Sequence, residues 1–282
     1  CETPMMRPGF AVGDAHTAVR MLPGRALLVS KIYLGSGWIS WNMLAKVREA
    51  AADLTCDSGA FTVWGRRAKH RCEACNKAYA EPGTLCEACK KAGAEPLTVE
   101  SWAAFIVAHA ATFDRFLALD VIGDAEGSIH NWDRLLSLVP PELHAKLVPV
   151  WHEGDPLEHL QHYAPNSRLV GLGRVAGRRP GVTGQKASRV FYDQAFNACA
   201  EALYWALGSC NPELLERYPF EWFDATSWQR NAGYSERLGW PWCACSKDTI
   251  LRAYIEAIEA IRYTPRTLPK QTAMPWDVSE ER

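Results

Sequence analysis

Short apolar runs, each closing on a polar or acidic residue, alternate along the chain with longer stretches whose apolar positions recur every three to four residues. That is the pattern of parallel β/α units, in which crossover helices bury both faces of each strand and the strands read as nearly continuous apolar runs. Seven runs are expected to be strands: ALLVSKIYL from Ala26, DLTCDSGAF from Asp53, RFLALDVIG from Arg115, KLVPVWH from Lys146, RLVGLG from Arg168, ALYWALG from Ala202 and FEWFDATSW from Phe220. An eighth is placed near Arg237 to Pro241, and the first few residues are assigned no element. SWNMLAKVREAA, VESWAAFIVAHAATF, DPLEHLQHYA and RVFYDQAFNACAEA supply amphipathic helices between them, and KDTILRAYIEAIEAIR closes the pattern before Thr264 and Pro265.

An α/β chain of 282 residues in this order fits one (β/α)8 TIM barrel over residues 1–282, with 48% hydrophobic residues to fill its core. An open doubly wound sheet would alternate similarly. No GxGxxG follows a strand, however, and no GxxxxGK[ST] occurs, so no organic cofactor is expected. The stretch 270–282, mixing Pro, Ser and Glu, reads as a flexible tail.

Cys72-x2-Cys75 and Cys86-x2-Cys89 break the alternation after the second expected strand. Two such pairs can each form a knuckle and together set four thiolates around one tetrahedral Zn²⁺. Two disulfides are the competing reading, but they need an oxidising compartment that nothing else in the sequence indicates. The expectation is a structural zinc subdomain over 66–96, inserted in a βα loop on the face where barrels carry their active sites. Cys243 and Cys245 form a tighter C-x-C, with Cys199 and Cys210 elsewhere; these read as buried cysteines in preference to a second metal site.

A net charge of −1 excludes coating of nucleic acid by bulk electrostatics, so any such contact must come from local patches. Two patches exist. Arg66, Arg67, Lys69 and Arg71 lead into the cysteine insert, and Arg174, Arg178, Arg179, Lys186 and Arg189 follow one another without an acid between them; such blocks serve equally as solvated loops or as nucleic-acid contacts. No apolar run reaches the roughly 18 residues of a membrane span, and no signal-peptide pattern opens the chain, so a soluble cytoplasmic protein is expected, in the host cytoplasm if a phage encodes it. Oligomeric state is not legible.

Polar residues recur at the C-terminal ends of the strands: Asp57 in CDSGAF, Asp120 in LALDVIGD, His152 in PVWHEGD, Gly171 and Gly173 in VGLGR, and Asp224 in WFDATSW. A lone Asp there often caps the following helix. Recurrence over successive strands favours one shared pocket instead. Three carboxylates around a pocket fit chemistry at the anomeric carbon of a sugar, one serving as nucleophile and another handling protons. No GxSxG elbow is present, which leaves serine-hydrolase chemistry without support.

In this order, DSGAF, LALDVIGD, PVWHEGD, VGLGR and FDATSW resemble the motifs of the tRNA-guanine transglycosylase superfamily, and within it the DNA-modifying DpdA-type proteins of phages and bacteria, over about Ala26 to Tyr254. The resemblance implies a (β/α)8 barrel that exchanges guanine in a nucleic acid for a 7-deazaguanine base, most simply 7-cyano-7-deazaguanine. It implies that Asp224 is the nucleophile at C1′ and that Asp57 is the acid/base. Asp120 would read the N1–H and amine of the base. His152 stands where the tRNA enzymes have glutamine and would donate to the base carbonyl. Gly171 and Gly173 would let the backbone approach the base, and Ser58, Gly59 and Phe61 flank Asp57, with Phe61 as an apolar or stacking wall.

The tRNA enzymes carry a zinc site near the carboxyl end; here Asp248 replaces its third cysteine after Cys243 and Cys245, and the histidine position falls near Glu256. That departure turns the expectation from tRNA toward DNA, with the target guanine flipped into the pocket. The zinc insert and the basic patches become the candidate DNA grip. The rivals are the same exchange on RNA, a non-catalytic zinc-dependent nucleic-acid-binding protein, and a glycoside hydrolase using Asp57 and Asp224.

Overall fold

The computed structural model describes residues 6–34, 38–67, 72, 85–91, 95–173, 182–209, 211–225 and 247–261. Nine parallel strand segments form a single sheet: β1 (Arg7–Ala11), β2 (Ala26–Ser30), β3 (Asp53–Asp57), β4 (Arg115–Leu117), β5 (Leu147–Val148), β6 (Val150–His152), β7 (Val170–Gly173), β8 (Tyr204–Ala206) and β9 (Trp222–Ala225). Their order is β5-β4-β3-β2-β1-β9-β8-β7-β6. The two end segments, β5 and β6, are separated in sequence only by Pro149, which has no N–H to give to a ladder. Its carbonyl still accepts from Gly171 N at 2.8 Å. The segments are therefore two halves of one stave, and the sheet is a (β/α)8 barrel.

All seven strands expected from the sequence are present, each shorter than its apolar run. The ALLVSKIYL run stops at Ser30, where Lys31–Tyr33 turns into a single 3-10 turn that packs Tyr33 and Leu34 onto the outer core. The eighth stave is β1, not the segment near Arg237 to Pro241, which lies outside the described residues. β1 closes the ring by pairing with β2 on one side and β9 on the other. Its sequence RPGFA carries one Pro and one Gly in five residues, which hides the strand from any propensity argument. Counted from β1, the strand that precedes the cysteine insert is β3.

The helices are α1 (Ala15–Met21), α2 (Trp41–Ala50), α3 (Ala60–Arg67), α4 (Glu87–Lys91), α5 (Val99–His109), α6 (Ala125–Leu138), α7 (Leu157–Asn166), α8 (Val182–Ala198), α9 (Pro212–Leu215) and α10 (Lys247–Glu259). Their starts are fixed locally. Asp14 accepts from His16 N and Thr17 N, Asp124 accepts from Gly127 N, and Thr98 with Ser101 makes a capping box before α5. No helix among the described residues is long and apolar enough to cross a membrane.

Strand alternation sorts side chains into two cores. Val29, Leu54, Cys56, Phe116 and Phe223 face the helices, where they join a large outer cluster with Trp102, Trp132 and Tyr192. Leu28, Leu117, Val148, Leu169, Trp205 and Trp222 form a second cluster that fills the lumen. Below this plug Arg115 pairs with Asp53 at 2.5 Å and lies 4.5 Å from the Trp222 ring centre. Two residues further along three of these strands, the next inward positions are Ser30, Gly171 and Asp224, and His152 stands four beyond Val148. The polar layer therefore rests directly on an apolar plug.

Candidate active site

Asp57 and Asp224 end strands three staves apart in the ring, at the carboxyl-terminal face. Asp224 is 4% exposed and its Oδ1 accepts from Gly208 N at 2.6 Å. Burial dominates its acidity and pushes the pKa up to about 7, with the nearby Asp57 charge adding to the rise and the Gly208 bond opposing it. Asp57 is pushed up to about 6 by the same burial, opposed by the Gly59 backbone N–H and reinforced by Asp120. The Asp57 charge acts on Asp224, so the two titrations are coupled and the values belong to the pair.

Gly59 has φ +87°, a backbone conformation that a side chain would strain, and a Cβ there would stand 3.1 Å from Ser30 Oγ. Ser58 is buried and its Oγ accepts from Ala60 N, starting α3. Phe61 projects outward, 52% exposed and stacked on Trp64. The buried Ser30 Oγ and Trp205 Nε1 lie near enough to Asp57 and Asp224 to favour their ionised forms, yet neither makes a hydrogen bond of normal geometry.

His152 ends β6 and is tied on both sides. Its Nε2 lies 3.1 Å from Asp120 Oδ2 and its Nδ1 3.5 Å from Asp155 Oδ2. Burial works against its charge, but the two carboxylates prevail and raise its pKa to about 9, so the ring is an imidazolium at neutral pH. Its N–H groups are turned to carboxylates, so donation to a base carbonyl would have to displace one of them. Asp155 is the residue of this cluster to which the sequence reading gives no role.

Gly173 serves His152 directly. A Cβ at Gly173 would lie 2.7 Å from His152 Cδ2, and one at Gly171 would lie 2.8 Å from Leu207 Cδ1. Leu207 can swing away, whereas the His152 ring is held at both nitrogens. Gly173→Ala is expected to destabilise the protein by about 1–3 kcal/mol, measured by urea denaturation, with Gly171→Ala costing less.

Beside Asp120, a cleft of about 300 Å³ opens between α3, the start of α5 and the loop after β4, with Trp64, Thr98 and Asn131 on its walls.

The sulfurs of Cys72, Cys86 and Cys89 converge, all within 4.8 Å of one another. Cys86 N donates to Cys72 Sγ at 3.3 Å, a backbone-to-sulfur bond of the kind a metal knuckle uses. Tetrahedral ligands at the usual Zn–S length stand about 3.8 Å apart, so the cluster can hold a metal ion. Cys75, Cys243, Cys245, Lys69, Arg71, Arg174, Arg178 and Arg179 lie outside the described residues, as does the tail 270–282. Of Arg66 and Arg67, in the last turn of α3, and Lys186, in α8, only the backbone is described.

No protein-family model and no curated protein matches the chain. Among solved structures it is similar to a Coccidioides immitis protein assigned as a fructose-1,6-biphosphate aldolase, at 11% identity and TM-score 0.54, covering 92% of this chain and 91% of that one. It is also similar to a chain of the tryptophan synthase α2β2 complex of Pyrococcus furiosus, at 11% identity and TM-score 0.51, covering 91% of this chain and 98% of that one. The likeness is one of fold. At such identity it carries no residue role across, and the chemistry must be argued from the acid pair and its neighbours.

Proposed function

We propose that the protein is a base-exchanging guanine transglycosylase that places a 7-deazaguanine, 7-cyano-7-deazaguanine first among them, into DNA. The observation that carries the reading is the placement of half-buried Asp57 and buried Asp224 at the carboxyl-terminal face of the barrel, both with acidities lowered by desolvation, and a third carboxylate, Asp120, held beside them by His152. Nucleophilic substitution at a glycosidic carbon requires one ionised and one protonated carboxyl, and with Asp224 as nucleophile the proton must sit on Asp57, the reverse of the order in which burial ranks the two.

In this reading Asp224 attacks C1′ and the C1′–N9 bond breaks, its electron pair leaving with guanine, which takes the proton from Asp57. The incoming base then gives its N9 proton back to Asp57, attacks C1′ and expels Asp224. Asp120, an acceptor only, takes the N1–H and amine donors of whichever base is bound. A flipped nucleotide would have its departed stacking replaced by protein contacts. Zn²⁺ on Cys72, Cys75, Cys86 and Cys89 would order the insert, and Arg66, Arg67, Lys69, Arg71, Arg174, Arg178, Arg179 and Lys186 would supply phosphate contacts.

The test is to incubate the protein with guanine-containing duplex DNA and 7-cyano-7-deazaguanine, digest to nucleosides and seek the modified deoxynucleoside by mass spectrometry. Product on tRNA alone would move the assignment to RNA, and free guanine with an abasic site but no exchange would make the protein a hydrolase. The rate is expected to be bell-shaped in pH. Below about pH 6 both carboxyls are protonated and there is no nucleophile; above about pH 7 both are ionised and there is no acid. A profile flat from pH 5 to pH 8 would remove the pair from the chemistry.

A further inference from the structure

Asp155 lies beyond the strand ends, yet the chain folds back to bring it into the site. Gly154, at φ +102°, makes the reversal; Asp155 N donates to His152 O at 3.0 Å, and His152 N donates to Asp155 Oδ2 at 2.9 Å. The same carboxylate faces His152 Nδ1, while Nε2 faces Asp120 from the loop after β4. All three side chains are nearly removed from water, 8%, 11% and 13% exposed for His152, Asp120 and Asp155. Tyr163 of α7 is a fourth titratable neighbour, its phenol held neutral by burial and by the Asp155 and Asp120 charges, and Asp57 acts on the group through Asp120.

A neutral imidazole has one N–H and can donate to only one of two flanking carboxylates. With a carboxylate oxygen facing each ring nitrogen, the arrangement holds together only around a doubly protonated ring. We propose that Asp155 is a positioning residue: acting through His152, it holds the Asp120 carboxylate in the orientation that receives the N–H donors of the base, an inference that rests on the transglycosylase reading for the identity of that base. Removing the Asp155 charge frees the ring to lose a proton. Asp120 then loses its partner and its fixed direction. The missing Cβ of Gly173 serves the same end, leaving the space the ring occupies.

The variant is Asp155→Asn, which keeps an oxygen for the His152 backbone N–H and so preserves the turn. The His152 ring signal is followed by NMR, identified among the eight histidines by its loss in His152→Gln. Its titration midpoint is expected to fall by about one unit or more. In base exchange the KM for the incoming base should rise about tenfold with kcat changed far less, and Asp155→Glu should recover part of the loss. A His152 midpoint unmoved in Asp155→Asn, or a lowered midpoint with unchanged KM, would overturn the proposal. The titration needs no substrate, so a wild-type protein that exchanges no base would sink the transglycosylase reading while leaving the Asp155 to His152 link to be decided by NMR.

Discussion

Asp224→Asn is expected to abolish base exchange, lowering the rate by about 10⁴-fold while leaving the barrel folded. Amide nitrogen and oxygen reproduce the shape of the carboxyl and can keep the Gly208 N–H bond, but the amide cannot form the glycosyl ester. Asp57→Asn should cost about 10²–10⁴-fold, because it removes a proton carrier and leaves the nucleophile. Product is read as modified deoxynucleoside under single-turnover conditions, and an Asp224→Asn protein within tenfold of wild type would end the assignment of the nucleophile.

The same substitution has a thermodynamic signature of opposite direction. Both carboxyls have folded pKa values above the ordinary 3.8, so the folded state holds their protons more tightly than the unfolded chain does. Their contribution to stability is complete below about pH 4 and is lost as pH rises through about 6 for Asp57 and about 7 for Asp224. A neutral Asn escapes that loss. Asp224→Asn should therefore melt above wild type at pH 8, with the gap closing toward pH 4. Loss of activity together with a gain in Tm would mark a site held ready at the expense of stability. A variant that loses both would point to a structural role for Asp224.

Much of the barrel is legible from the apolar runs because parallel strands covered on both faces leave a nearly continuous signal. The strand ends are legible for a different reason: charged residues such as Asp57 and Asp224 interrupt runs that otherwise stay apolar. What escapes has identifiable causes. β1 carries Pro8 and Gly9, two residue types that strands disfavour. Pro149 splits one stave into two ladders without breaking the barrel. Asp155 escapes because its role depends on the positive φ of Gly154 and on a tertiary contact, neither of which leaves a period in the sequence. Gly173 is legible as a close-approach position, but the group that approaches in the structure is the His152 ring.

The second large effect concerns the cysteine cluster. Stripping metal with a strong chelator, or substituting Cys86→Ser, is expected to release one equivalent of Zn²⁺ and to open the segment between α3 and α5 to protease, while the far-UV circular dichroism of the barrel changes little. Among the described residues of the cysteine-bearing stretch, Cys72 and Leu85 are buried and Cys86 and Cys89 partly so. A structural zinc supplies an apparent binding energy of about 10–16 kcal/mol, more than so small an apolar set could yield at about 1.5–3 kcal/mol for each fully buried side chain. Folding of the insert should therefore follow metal occupancy, whereas the barrel, with its two apolar cores, should not. Since the insert leaves the ring just after the Asp57 strand, on the transglycosylase proposal its loss should raise the DNA concentration at which exchange saturates, with the His152 titration untouched. Protein isolated from zinc-replete cells with no bound metal, or an insert equally protease-resistant after chelation, would remove zinc from the account and leave the cysteines as packing residues.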